Sequence, residues 1–297
     1  MMFLTFCKRS ALSLPVLGLS MMLMLLNACA STTSPQTSTV SAANAATAAN
    51  GSRVASAVLQ HTPIGTAQLS WDEKTQVLTV SVDLKGLAAT STHPIDIRAE
   101  SCINTGGIVY SLQNLVADEH GVARETSTVK GVSGGISATG WFLTVHNGPQ
   151  LAPDDQLLPI ACGTITNPNA SALANQSVPV AFTATPGANQ AASGAAQLTL
   201  DHDTLTVALT VNGLVPASIH AASIYAGSCE DQGKSLYDLK SVTADTVGNA
   251  TSSTTLQHVS ALPASGWSVI VHLATDTSTQ AGNDPIACGN VVNGALG

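Results

Sequence analysis

Charge is the scarcest property of this chain: Asp, Glu, Lys and Arg make up 9% of its 297 residues, and Phe, Trp and Tyr only 3%. With so few Lys and Glu to solvate helical faces, a helical bundle is a poor fit. The dominance of Ala, Ser, Thr, Val and Gly suits short β-branched strands joined by Gly, Pro, Asn and Asp turns. Bases are outnumbered as well. Residues 1–28 hold Lys8 and Arg9 and no acid, so the remainder carries 8 basic against 18 acidic residues. That balance argues against nucleic acid and anionic lipid headgroups as partners. Also missing are a Ser/His/Asp nucleophile signature, a phosphate-cradling glycine loop and a recognisable carboxylate pair. What is present is 44% apolar residues. That is enough for packed cores, and the length fits two ordinary domains.

Lys8 and Arg9 lead into an apolar run from Ala11 to Leu26, interrupted only by Ser13 and Ser20, and Leu26-Asn27-Ala28-Cys29 closes it. This resembles the signal and lipobox of bacterial lipoproteins. The resemblance implies that residues 1–28 are a signal peptide and that Cys29 is the lipidated first mature residue. The protein would then be extracytoplasmic, held to a membrane by acyl chains worth about 0.8 kcal/mol per buried CH₂. An uncleaved transmembrane helix is the alternative, since the run is nearly long enough to span a bilayer. Residues 29–53 continue as a Ser/Thr/Ala tether with nothing to bury.

Beyond the tether the chain repeats itself. Ala67-Gln68-Leu69 matches Ala196-Gln197-Leu198, His93 matches His220, and Cys102 matches Cys229. Asp118 with Gly121 matches Asp245 with Gly248, Val145-His146 matches Val271-His272, and Ile160-Ala161-Cys162-Gly163 matches Ile286-Ala287-Cys288-Gly289. A period above 100 residues means whole domains rather than a solenoid. The copies are expected at 54–166 and 178–297, with a linker over 167–177. Short runs such as Val77-Leu78-Thr79-Val80-Ser81-Val82 alternate between turn signals, and no 3.6-residue period lasts three turns. The pattern predicts an all-β fold of two tandem Greek-key sandwiches.

Cys7 leaves with the signal, Cys29 takes lipid, and four cysteines remain as one widely separated pair per copy. In an oxidising compartment Cys102 pairs with Cys162, and Cys229 with Cys288. Each loop is near 60 residues and would stabilise by roughly 4 kcal/mol in the chain-entropy model. Thiolate metal ligation would want closer spacing.

A His-containing strand running into Cys, an Ala-Asp-x-x-Gly turn, a Trp…Val-His strand and a closing Ala-Cys-Gly together resemble copper/zinc superoxide dismutase, and more closely its loop-trimmed CHRD relatives. The resemblance implies a disulfide between the two cysteines of each copy. It also implies where metal ligands should be. The family's His-x-His copper pair falls on Asp96 and Arg98 in copy one, and on Ser223 and Tyr225 in copy two. No His lies between Cys102 and Asp118 or between Cys229 and Asp245, where the zinc loop belongs. The copper histidine of the Val-His strand survives as His146 and His272. The family's substrate-guiding Arg is replaced by Pro159 and Pro285.

One imidazole per copy cannot make a copper redox site, so dismutase activity is not expected. The plain reading of His146 and His272 is a bond to a neighbouring loop backbone. The other reading is a metal site shared with His93 and His220, with Asp96 or Asp154 as third ligands in copy one. Trp141 and Trp267 read as core-edge packing. The expectation is a non-catalytic surface lipoprotein without a cofactor, acting as a binding or envelope-structural module toward an extracellular protein or glycan. Copper binding through the remaining histidines is the alternative.

Overall fold

A computed structural model describes residues 51–295 other than Pro153. The signal segment, Cys29 and nearly all of the tether lie outside these residues. The first copy contributes β1 (Arg53–His61), β2 (Ile64–Asp72), β3 (Val77–Lys85), β4 (Thr92–His93), β5 (Ile95–Glu100), β6 (Thr105–Ser111), β7 (Leu115–Val116), β8 (Val122–Lys130), β9 (Trp141–His146), the short helix α1 (Asp154–Leu157) and β10 (Pro159–Ile165). The second contributes β11 (Gln176–Phe182), β12 (Ser193–Asp201), β13 (Thr204–Asn212), β14 (Ile219–Ser228), β15 (Asp231–Thr243), β16 (Ala250–Leu256), β17 (Trp267–His272), α2 (Gln280–Asn283), β18 (Pro285–Asn290) and β19 (Val292–Asn293). The fold is all-β and sandwich-like. Among the described residues no helix is long and apolar enough to cross a membrane.

Alternation explains the strands. In β3, Leu78, Val80, Val82 and Leu84 point inward while Thr79, Ser81 and Asp83 face out, and in β13 Leu205, Val207, Leu209 and Val211 do the same. Each fully buried side chain of this size contributes roughly 1.5–3 kcal/mol. Two separate cores result. One lies between the sheets β11-β2-β3-β8 and β10-β9-β5-β6. The other lies between β1-β12-β13-β16 and β15-β14-β17-β18, with β1 reaching from β12 to β18 and so joining both sheets. β4 and β7 form a small ladder at the end of the first lobe.

The cores do not respect the repeat borders. β1 opens the first copy, yet it pairs with β12 from Arg53↔Leu200 to Leu59↔Gly194 and buries Ala55, Ala57 and Leu59 in the second core. β11 opens the second copy, yet it pairs with β2 from Gln176↔Trp71 to Phe182↔Gly65 and buries Val178, Val180 and Phe182 in the first. The first lobe is therefore built from residues 64–182, and the second from 53–61 together with 193–293. These pairings cross the borders expected at 54–166, 167–177 and 178–297, which follow the duplication.

Turn chemistry supplies the reason. Only Thr62 and Pro63 separate β1 from β2. A two-residue hairpin favours a primed turn with positive φ, whereas proline fixes φ near −65°. β1 thus runs on into the second lobe, and the place beside β2 is filled by β11, which the ten residues 166–175 return to it. Gly163 makes room there, since a Cβ on it would lie 2.5 Å from a methyl of Val180.

Disulfides join Cys102 to Cys162 in the first lobe and Cys229 to Cys288 in the second, with Cα separations of 6.0 and 5.8 Å. Such bonds fit an oxidising, extracytoplasmic compartment. Trp141 and Trp267 are half-buried at the core margins, each edge-on to a tyrosine, Tyr110 and Tyr237 respectively.

Candidate functional site

In the first lobe the chain brings His93, at the end of β4, against the end of β9, which carries His146. Both are buried. The connection runs from ring to backbone: Nδ1 of His93 donates to the carbonyl of His146 at 2.9 Å. Its Nε2 meets Ser91 Oγ at 2.7 Å, and that hydroxyl also reaches the Ala88 carbonyl at 2.6 Å. His146 donates from Nδ1 to the Leu157 carbonyl at 2.8 Å, and its Nε2 lies 3.2 Å from Asp96 Oδ2. Asp96 in turn accepts from Arg98 Nε at 2.7 Å, in an ion pair whose carboxylate is buried. Asp154 sits exposed at the start of α1. Burial pushes the His93 ring down to about 4, against the carbonyl bonds that favour its protonated form.

The second lobe repeats the scheme with different chemistry. Nδ1 of His220 donates to the His272 carbonyl at 3.0 Å, and Nε2 meets Ser218 Oγ at 2.7 Å. His272 donates from Nδ1 to the Asn283 carbonyl at 2.7 Å, and its Nε2 lies 3.4 Å from the Tyr225 hydroxyl. Ser223 donates to Asp238 at 3.3 Å. Burial lowers the pKa of both imidazoles and raises that of Tyr225, where the nearby Asp238 charge adds to the effect.

Thus His93 with His146, and His220 with His272, are brought together, but as ties between a strand end and a loop. Among the described residues no three His, Cys, Asp or Glu side chains gather as a metal cage.

One participant was not legible beforehand. Asp284, from the second copy, lies 3.8 Å from Nε2 of His93, with both carboxyl oxygens buried and without a hydrogen-bond partner. Burial raises its pKa far above the ordinary carboxylate range. Its counterpart by repeat position is Leu158, so the duplication gives no hint of an acid there. Around it the seam between lobes is stapled by Gln280. Its Nε2 donates to the Thr92 and Asn147 carbonyls at 2.8 and 3.0 Å, while its Oε1 accepts from Thr92 N at 3.0 Å.

A recess of about 810 Å³ lies elsewhere, on the outer face of β11-β2-β3-β8. Its floor includes Gln68, Ser81, Thr126 and Pro179, with Arg124 donating to Asp83 at 2.9 Å along one side. The volume lies within the usual range for small-ligand sites, about 300–1,000 Å³. The lining is unusual in lacking any aromatic side chain.

Comparison of the chain with protein-family models and with the curated proteins found no match.

Proposed function

We propose that the protein is a non-catalytic, extracytoplasmic lipoprotein whose two superoxide-dismutase-like (CHRD-like) Greek-key lobes act as a binding or envelope-structural module. One observation carries the reading. All eight ring nitrogens of His93, His146, His220 and His272 already have protein partners. A catalytic imidazole must offer a nitrogen to substrate or metal, and here each would first have to break a bond that ties the fold. The positions that would hold the copper pair support the same reading. Arg98 brings a fixed cation beside Asp96 in one copy, and Tyr225 brings a phenol toward His272 in the other. Fold likeness alone would not license a function; the filled ring nitrogens carry the weight. One surface open to recognition among the described residues is the outer-face recess, where the partner proposed is a glycan or a peptide strand.

The test is metal content. The chain from Asn44 to Gly297, which holds every described strand, is loaded with copper and zinc and dialysed extensively. The expected result is no retained metal. Retention near one ion per lobe, abolished by His146→Ala or His272→Ala, would overturn the reading and turn attention to copper handling.

A further inference from the structure

The second lobe is completed by a strand to which it is not directly connected. β1 lies beside β12 and, farther along, beside β19 and β18, so without it two strand edges lose their partner and the places of Ala55, Ala57 and Leu59 open to solvent. Covalently, β1 continues into the first lobe through Thr62 and Pro63 alone. Cys288 lies opposite Gln60 on the neighbouring β18, but neither disulfide bonds β1 covalently to its neighbours. Its inward side chains are small, two alanines and a leucine, so the apolar surface holding it is modest.

A β1 strand that leaves its place has one kind of home. The position beside β2 in the first lobe is filled by β11, whose Val178, Val180 and Phe182 are bulkier than anything β1 could offer in exchange. The Thr62-Pro63 step also disfavours the tight reversal that would lay β1 on β2. What β1 fits is the gap in a second lobe, and every copy of this chain has one.

We propose that a second copy of this chain is a binding partner, taken up by reciprocal exchange of β1: the strand of each molecule enters the gap between β12 and β18 of the other. The ladders of β1 with β12, β18 and β19 are kept in the dimer, and only contacts at the hinge, such as the Thr62 bond to the Gly86 carbonyl, must change, which is why such exchange is a low-cost route to association. Short hinge loops invite it, and this hinge is two residues long. The inference rests on strand pairing alone and stands or falls separately from the metal test above.

Val58 and Ala195 face each other across the β1–β12 ladder on its outer side, within the Cα range that a disulfide tolerates. The experiment uses the Asn44–Gly297 chain in three single-cysteine forms, Val58→Cys, Ala195→Cys and Val247→Cys, and a double form, Val58→Cys with Ala195→Cys. Val58→Cys chains are mixed with Ala195→Cys chains, and separately with Val247→Cys chains. Each mixture is concentrated, held near the unfolding midpoint and returned to native conditions in a glutathione redox buffer. Cross-links are then mapped by mass spectrometry. The expected result is a heterodimer bridged between the Val58→Cys and Ala195→Cys chains. It should form roughly tenfold more than the bridge between Val58→Cys and Val247→Cys chains, which reports random collision at an exposed site off the ladder. If the double form closes its own bond but the first mixture gives no heterodimer above that control, β1 never leaves home and the proposal fails. If the double form does not close, β1 is not seated on β12 and the proposal fails at its premise.

Discussion

Asp284 buries both carboxyl oxygens without a hydrogen-bond partner. A buried carboxyl without a partner costs about 1–3 kcal/mol even when neutral. Because its pKa in the fold is raised, the folded chain holds the proton more firmly than the unfolded chain does. The associated stability is present in acid and lost as pH rises through the raised value. His61 and His93 act in the opposite direction. Burial lowers both rings to about 4 from 6.5, so between those values the unfolded chain takes up protons that the folded chain refuses. Their contribution is complete above 6.5 and declines as pH falls through that window. Asp284→Asn is therefore expected to raise the melting temperature more above neutrality than in acid, and His93→Asn to flatten the loss on the acid side. Calorimetry across pH checks both; an Asp284→Asn gain independent of pH would mean that the carboxyl is not the source of the cost. At this scale the sequence was partly legible. The cysteine pairs and the four histidines could be picked out from repeat spacing. Asp284 could not, because its meeting with His93 joins residues from different copies and its counterpart is a leucine.

The Asp-x-x-Gly turn shows how one element is fixed twice. In each copy the Asp side chain accepts backbone N–H groups ahead of the next strand: Val122 and His120 on Asp118, Asn249 and Val247 on Asp245. These bonds hold both carboxyls below their ordinary range. The glycine then enters the left-handed region, with φ of 74° at Gly121 and 84° at Gly248, and a Cβ on either would lie 2.3 Å from the carbonyl oxygen of Leu87 or Leu214. Gly131 has a similar φ of 76° but nothing near its missing Cβ. Gly131→Ala is expected to cost only the conformational strain, about 1–2 kcal/mol. Gly121→Ala and Gly248→Ala should each cost clearly more, because a backbone carbonyl must move as well. Urea unfolding of the three variants makes the comparison, and equal losses would show that the carbonyl contact yields freely. Strands and turns of this kind were readable from alternation and from Gly and Asp positions, since both are local properties of the chain.

Which strand joins which lobe is a different matter. β1 and β12 are paired across more than a hundred residues, and nothing in the composition of either one names its partner. What could have warned of the arrangement is the Thr-Pro step, since proline cannot take the positive φ of a primed two-residue hairpin. The strand pairing predicts that residues 64–183 fold alone, since they hold the whole first core, its disulfide and β11. The repeat unit 54–166 should not, because it lacks β11 and carries β1 with no gap to fill. Circular dichroism and amide-proton dispersion of the two fragments decide it, and a well-folded 54–166 fragment would contradict the assignment of β1. The same arrangement governs how the protein bears load. β1 begins the described chain and β19 nearly ends it, and the two pair at Ala55↔Asn293 and Ser56↔Val292. A pull applied between the two ends is met first by the hydrogen bonds of the second lobe, which clamp β1 between its neighbours. Until those bonds shear, the first lobe and its outer-face recess carry no tension, so a chain held at its N-terminal end under drag would keep that surface in its resting shape.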